Sequence, residues 1–378
     1  MRETPAHAAS TSQPSQGTDR AAGLSAPPST SEDSTADVRE ALDLLAEASS
    51  PVLVVGGGLR SEPARAAATG FIDRFQIPTV VTEDGKGVVP ASHELVFERS
   101  AYGALRADAD LILAVGTRFV NSEARPYEDG TVPCLVVNTD TQIEDRLGID
   151  AHYVYADGGA FFRTAVAELE PVSPSGTLRQ RLREARETVH QKERAIAPQI
   201  ALLSQLRAAL PQNTTLVADY TQLGYAASFT YPVDYFWQFI WPGFQGTLGY
   251  SFATGIGAAF GAEGLTVVVT GDGGFSWTLE ELSTLAQYEP NLIVIIVNDG
   301  YYGNVRRIQQ TVYGGREIAS KLTNPDYQVL AQAFGIRYRL AEDSETFGTV
   351  LAAAAAQGGP CVVELKVGEF PAPWGLGF

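Results

Sequence analysis

Residues 267–281 read "VVVTGDGGFSWTLEE", an apolar run that stops at an aspartate set between glycines and passes at once into a helix-like stretch. A second such place follows, "IIVNDGYYGN" at 295–304. Asp272 and Asp299 are 27 residues apart. Between them lie a T-x-x-E pattern, Thr278 to Glu281, which predicts a capping box, and then a helix ending near Pro290. The spacing is that of a strand–helix–strand crossover, with strands predicted over 265–270 and 292–297. Such a unit sends two parallel strands the same way in one sheet. As neighbours they lie about 4.8 Å apart, so both aspartates leave together at the C-terminal edge, where α/β sheets bind ligands. Two converging carboxylates repel unless a cation joins them. With glycine-loop carbonyls beside them they suit a hard divalent ion. The bare amides of Gly271, Gly273 and Gly274, ahead of a helix, suit a phosphate. The residues alone therefore predict magnesium with a diphosphate. A single Asp-Gly is ordinarily just a turn; two at the ends of successive strands are more specific.

The surrounding pattern extends the α/β reading over the chain. "PVLVVGGG" (51–58), "IPTVVT", "DADLILAVGTRF" and "CLVVNTD" are apolar strands alternating with helices, and "TTLVAD", "LTVVVTG", "NLIVIIVN" and "PCVVELKV" repeat the rhythm. Uninterrupted apolar strands between helices mean parallel sheets covered on both faces. The expected fold class is α/β, with two doubly wound parallel-sheet domains. Residues 1–36, rich in Ser, Thr, Ala and Pro, predict a disordered tail. A central Rossmann-like domain is expected over 37–175, its first helix capped by Asp37. A linker helix is expected over 176–195, where "TLRQRLREARETVHQKERA" shows little apolar face, and a second domain over 196–378.

Composition sets outer limits. A net charge of −17 over 378 residues argues against a nucleic-acid footprint. No apolar run is long enough to span a membrane, and no signal-like N-terminus is seen, so a cytoplasmic protein is expected. Cys134 and Cys361 sit in apolar strands and read as buried reduced thiols, with no zinc spacing. "VVGGGLRSE" at 54–62 is close to a dinucleotide fingerprint, with Ser61 where a third glycine belongs and with Glu83 or Asp84 as ribose partners. Any parallel α/β domain needs small residues at that turn, so plain turn chemistry is the simpler reading.

GDG, a spacer, then NDG resembles the thiamine diphosphate-binding motif, and the chain is most similar to the acetolactate synthase and pyruvate decarboxylase group. The likeness covers most of 37–378. "PVLVVGGG", "IPTVVTEDGKGVVP", "ADLILAVGTRF" and "VVNTDTQIED" resemble that group's central domain, and "GFQGTLGYSFATGIGAAFGA" (243–262) resembles its stretch before GDG. The resemblance implies Asp272, Asp299 and the Tyr301 carbonyl as magnesium ligands. Aspartate at 299 stands where the family more often has asparagine. It implies Leu248 as the apolar support that keeps the cofactor bent. It places Gly246, Thr247, Gly271, Gly273, Gly274, Tyr302 and Gly303 around the cofactor. Tyr220, Thr221 and Gln222 fall on a loop that touches the phosphate, although the family's histidine there is absent. Phe275, Trp277, Tyr302 and Trp374 are candidate substrate-pocket residues, with ordinary packing as the alternative for each.

The resemblance also implies a pyrimidine-binding domain whose glutamate protonates the cofactor's aminopyrimidine, and no glutamate in this sequence matches that motif. The expectation is a large subunit of a split 2-oxo acid decarboxylase or carboligase, joined to a separate pyrimidine-domain subunit in a heterotetramer. The rivals are a non-catalytic cofactor-binding or regulatory subunit and a nucleotide-dependent dehydrogenase built on the first glycine cluster. FAD or ADP in the central domain, as in some relatives, has no support in these residues.

Overall fold

The structure, a computed structural model, describes residues 32–120, 128, 130–171, 176–243 and 246–376. Among these, two six-stranded sheets carry the chain, and every strand pairing in them is parallel. The first contains β1 (Pro51–Val55), β2 (Thr79–Val81), β3 (Val96–Glu98), β4 (Leu111–Val115), β5 (Cys134–Asn138) and β6 (His152–Tyr155), in the order β3-β2-β1-β4-β5-β6. The second contains β7 (Thr215–Ala218), β8 (Phe239–Ile240), β9 (Thr266–Gly271), β10 (Leu292–Asn298), β11 (Arg337–Ala341) and β12 (Cys361–Lys366), in the order β11-β12-β10-β9-β7-β8. Central strands such as β4 and β10 are buried nearly throughout, which is why they read as unbroken apolar runs. The expected pair of doubly wound α/β units is what the chain forms.

Each sheet reverses its winding at its first strand, β1 or β7, and the second does so again where β12 returns between β10 and β11. In the first, β2 and β3 lie on one side of β1 and β4 on the other; in the second, β8 and β9 flank β7. Strand ends splay apart at such reversals and leave a crevice. Crevices of about 280 Å³ and 300 Å³ sit at these two places.

Several local expectations differ from what forms. The first helix starts at Glu32, upstream of Asp37, so Asp37 lies within the helix and does not cap it. The predicted disordered tail is thus helical over 32–36, and its remainder, 1–31, lies outside the described residues. The helix Leu178–Arg194 buries Leu178, Leu182 and Ala185 against the core of the first sheet, so three residues suffice to dock a mostly charged helix. Thr278 and Glu281 form no capping box. A 3-10 turn, Leu279–Glu281, intervenes, and the Thr278 hydroxyl donates to the Gly249 carbonyl at 3.4 Å. The helices Gly303–Thr311 and Phe347–Gln357 and the strand β11 were not among the elements expected from the sequence.

Cations of the first unit meet one segment of the second. Lys86, 2% exposed, pairs with Glu98 and donates to the Tyr231 carbonyl at 3.0 Å. Arg60 donates to the Phe236 carbonyl at 2.6 Å, and Arg99 lies 4.0 Å from the centroid of the Phe229 ring. Carbonyl oxygens and ring faces accept these charges, Lys86 and Arg99 in buried surroundings and Arg60 at the surface. Both cysteines are buried and free.

Candidate active site

β9 and β10 are in direct register, Gly271 opposite Val297. Asp272 and Asp299, just beyond, therefore stand at one rim of the second sheet. The Gly300 amide donates to Asp272 Oδ2 at 2.9 Å and ties the two strand ends together. The Gly273 amide donates to Asp272 Oδ1 at 2.9 Å, and the Asn324 side chain donates to Oδ2 at 2.6 Å. A carboxylate offers about four lone-pair positions. Three are engaged here, and the remaining one is on Oδ1. Asp299 accepts from the Tyr301 amide at 2.9 Å through Oδ1 and from Gln222 Nε2 through Oδ2.

Burial is the largest influence on both acids. With burial raising it, the Asn324 donor opposing and the neighbouring charge of Asp299 adding, the Asp272 carboxyl is pushed up to about 6. Burial also raises Asp299, against the Tyr301 amide and Gln222. Asp272 is only 2% exposed and accepts from three neutral donors, so burial disfavours its charged form. Among the described residues no group of three or more His, Cys, Asp or Glu side chains could hold a metal. A cation at this rim would take two carboxylates and fill its remaining positions with carbonyl, phosphate or water oxygens. That donor set suits magnesium and disfavours zinc.

The crevice of about 300 Å³ opens over these acids. Its wall includes Tyr220, Thr221, Gln222, Gly246, Leu248, Gly271, Asp272, Gly273, Gly274, Asp299, Tyr301, Tyr302 and Gly303. Of the residues singled out from sequence around the cofactor, Thr247 alone is exposed and off that wall. Leu248 is 41% exposed within the crevice, an apolar side chain left for something to cover. A Cβ on Gly273 would lie 2.6 Å from the Tyr302 ring, so glycine keeps that stretch of backbone bare toward the cavity. A glycine-lined wall, a pair of acids with a free lone pair and an uncovered leucine fit a metal-bound diphosphate cofactor.

The substrate-pocket candidates separate. Tyr302 lines the crevice. Phe275 is a core residue, stacked on Phe252 at 5.3 Å and edge-on to Tyr327. Trp277 is 61% exposed and off the wall. Trp374 packs edge-on to Tyr225 at 4.7 Å in a smaller crevice between the two units, beside Tyr220 and Trp241.

Four participants escaped the sequence reading. Asn324 lies 52 residues from Asp272 in a loop with no motif of its own. Arg307 lines the crevice, donating to the Phe370 carbonyl at 2.6 Å and reaching Gln222 Oε1 at 3.5 Å. Asn304 and Tyr225 also line the wall. The amphipathic pattern of 303–311, directly after NDGYY, was the available signal for Arg307 and Asn304.

The fold and this rim define an α/β protein of doubly wound type with an acid-lined crevice at a sheet reversal. Residues 38–150 match the family described as thiamine pyrophosphate enzyme, central domain, and residues 219–365 match thiamine pyrophosphate enzyme, C-terminal TPP binding domain. Together these cover more than half of the chain, which belongs to the thiamine pyrophosphate enzyme family. It is 28% identical to the probable 2-ketoarginine decarboxylase AruI of Pseudomonas aeruginosa, over 87% of this chain and 60% of the relative. It is 28% identical to the acetolactate synthase large subunit of Corynebacterium glutamicum, over 89% and 58%. The same identity holds for that subunit from Lactococcus lactis, over 82% and 56%. The chain thus spans about 60% of the length of these relatives. No helix among the described residues is long and apolar enough to cross a membrane.

Proposed function

We propose that this chain is the cofactor-diphosphate-binding part of a thiamine diphosphate- and magnesium-dependent 2-oxo acid decarboxylase or carboligase of the acetolactate synthase kind. The observation that carries this reading is the pair Asp272 and Asp299 at adjacent strand ends, opening on a glycine-walled crevice at the sheet's reversal. Asp272 Oδ1, Asp299 and the Tyr301 carbonyl would hold magnesium. Gly271, Gly273, Gly274 and the Tyr220–Gln222 loop would line the diphosphate, the Gly273 amide itself being given to Asp272 Oδ1, and Leu248 would support the rings. When bound, the cofactor supplies a carbon nucleophile and an electron sink for loss of carbon dioxide.

The chain's own residues bind and orient. Gln222 holds Asp299 through Nε2, while its Oε1 accepts the Phe370 amide at 2.8 Å. The loop before it is anchored by Asp219, which accepts the Tyr220 amide at 2.8 Å and the Ser251 hydroxyl at 3.2 Å. Thr221 caps the following helix, its hydroxyl accepting the Gly224 amide at 2.9 Å. A loop fixed at three points offers its donors without reorganising, which is how a site stabilises developing charge.

No glutamate lies on the described wall of the crevice. We place the glutamate that activates the aminopyrimidine on a pyrimidine-binding domain carried by a second chain, the two associating as a heterotetramer. A reducing, cytoplasmic setting agrees with two buried free thiols. The test is thiamine diphosphate binding with and without magnesium, followed by pyruvate and 2-ketoarginine consumption before and after adding a pyrimidine-domain partner. Magnesium-dependent binding with turnover only in the mixture is expected. Turnover by this chain alone would overturn the two-chain arrangement, and absence of binding would overturn the cofactor assignment.

A further inference from the structure

Asp272 is gripped by a side-chain amide, and an amide can face a carboxylate in two ways. With nitrogen toward it the contact attracts; with oxygen toward it the contact repels. Asn324 Nδ2 faces Asp272 Oδ2 at 2.6 Å and also donates to Asn298 Oδ1 at 2.9 Å. Asn298 in turn points its Nδ2 at Glu364 Oε1, 2.7 Å away. Glu364, 6% exposed on β12, takes the Tyr338 hydroxyl on its other oxygen at 2.5 Å. A carboxylate oxygen only accepts. Asn298 must therefore turn its nitrogen to Glu364 and its oxygen away, and that oxygen requires a nitrogen from Asn324. Without Glu364 the two amides could rotate together and keep their mutual bond, leaving Asn324 oxygen against Asp272.

We infer that Glu364 is a positioning residue for the cation site, fixing the polarity of Asn298 and Asn324 so that Asp272 Oδ2 is fully engaged and Oδ1 is the oxygen left to bind. This rests on the reading of Asp272 as a magnesium ligand. The role belongs to a residue off the crevice wall, on β12, which neighbours β10 and is separated by it from β9, the strand that ends at Asp272.

Two substitutions separate polarity from bulk and charge. Glu364→Gln keeps an oxygen for Asn298 and a nitrogen for the Tyr338 oxygen, so the polarity survives. Glu364→Leu removes it. The measurement is the magnesium concentration that half-saturates thiamine diphosphate binding by the full chain, read by calorimetry, with thermal unfolding alongside. Glu364→Leu should raise that concentration roughly 10- to 100-fold, the usual cost of losing an outer partner of a metal ligand. Glu364→Gln should stay close to the unmodified protein. Equal losses in both variants, or no loss in Glu364→Leu, would overturn the inference. Should Glu364→Leu fail to fold, Asn298→Ala cuts the same chain while leaving Glu364 with Tyr338; it should weaken magnesium dependence comparably, and unchanged dependence would overturn the inference. If the unmodified chain shows no magnesium-dependent binding, the cofactor assignment falls and this role with it. Normal binding in the unmodified chain with unaffected variants removes only the role of Glu364.

Discussion

The two sheets end in similar crevices with dissimilar chemistry. Both follow a glycine-rich turn after an apolar strand, at the place where the winding reverses, and their volumes are nearly equal. In the first, the glycine turn is consumed by packing. A Cβ on Gly56 would lie 2.5 Å from the Gly116 carbonyl oxygen, with Thr117 as close. Of the two acids on that wall, Glu83 and Asp84, Glu83 is paired with Arg99 at 2.5 Å. In the second crevice a Cβ on Gly273 would meet side chains, the Tyr302 ring nearest, and the acids are held by amides, with the Arg306 charge acting on Asp299. Shared architecture sets where a ligand can sit; the charge balance of the rim sets whether a cation is wanted.

The largest effect is expected from removing that charge. Asp272→Ala should weaken magnesium-dependent thiamine diphosphate binding by more than the roughly 100-fold that an outer partner costs, whereas Asp84→Ala in the first crevice should leave it unchanged. Titration calorimetry of both variants checks this, and comparable losses would erase the distinction between the crevices.

The glycines offer a second contrast. Gly56→Ala drives a methyl into backbone, which cannot give way, and should destabilise the fold by about 1–3 kcal/mol in chemical denaturation. Gly273→Ala meets the Tyr302 ring, a side chain that can swing. It should unfold at nearly the same denaturant concentration and lose cofactor affinity. A reversed outcome would mean that the second turn is also built for packing.

The smallest effect is in pH. With its carboxyl raised from 3.8 to about 6, Asp272 takes up a proton on folding. Its contribution to stability is full below about pH 4 and is lost as pH rises through about 6, by about 3 kcal/mol at most for a shift of this size. Cation binding needs the ionised form, so it runs the opposite way. Affinity for magnesium with cofactor should fall roughly tenfold from pH 7 to pH 5. Asp299→Asn removes the like charge that helps to raise Asp272, so the onset of binding should move to lower pH while one ligand oxygen remains. A pH profile of binding in the two proteins decides it, and an unmoved onset would mean that burial alone sets the Asp272 titration.

How much was legible follows from what each signal depends on. β9, β10, β1, β4 and β12 could be read because a strand buried on both faces must be apolar along its length. Asp272 and Asp299 could be read because one crossover carries both. β11, "RYRLA", reads poorly because it is an edge strand whose residues are mostly only half-buried. Phe275 looked like a pocket residue because it follows GDGG, yet the turn carries it inward onto Phe252. The Thr278–Glu281 pattern satisfied a capping rule that the chain left unused, since the Gly249 carbonyl lay within reach of the hydroxyl.

The order of residues along the chain by itself determined the strands, the crossover and the acids at its two ends, because periodicity and spacing are local properties of a polymer. Tertiary structure alone decided which donors those acids receive. Asn324, Gln222 and Glu364 come from loops and strands distant in sequence, and a hydrogen bond depends on orientation within a few tenths of an ångström, which no pattern in one dimension encodes.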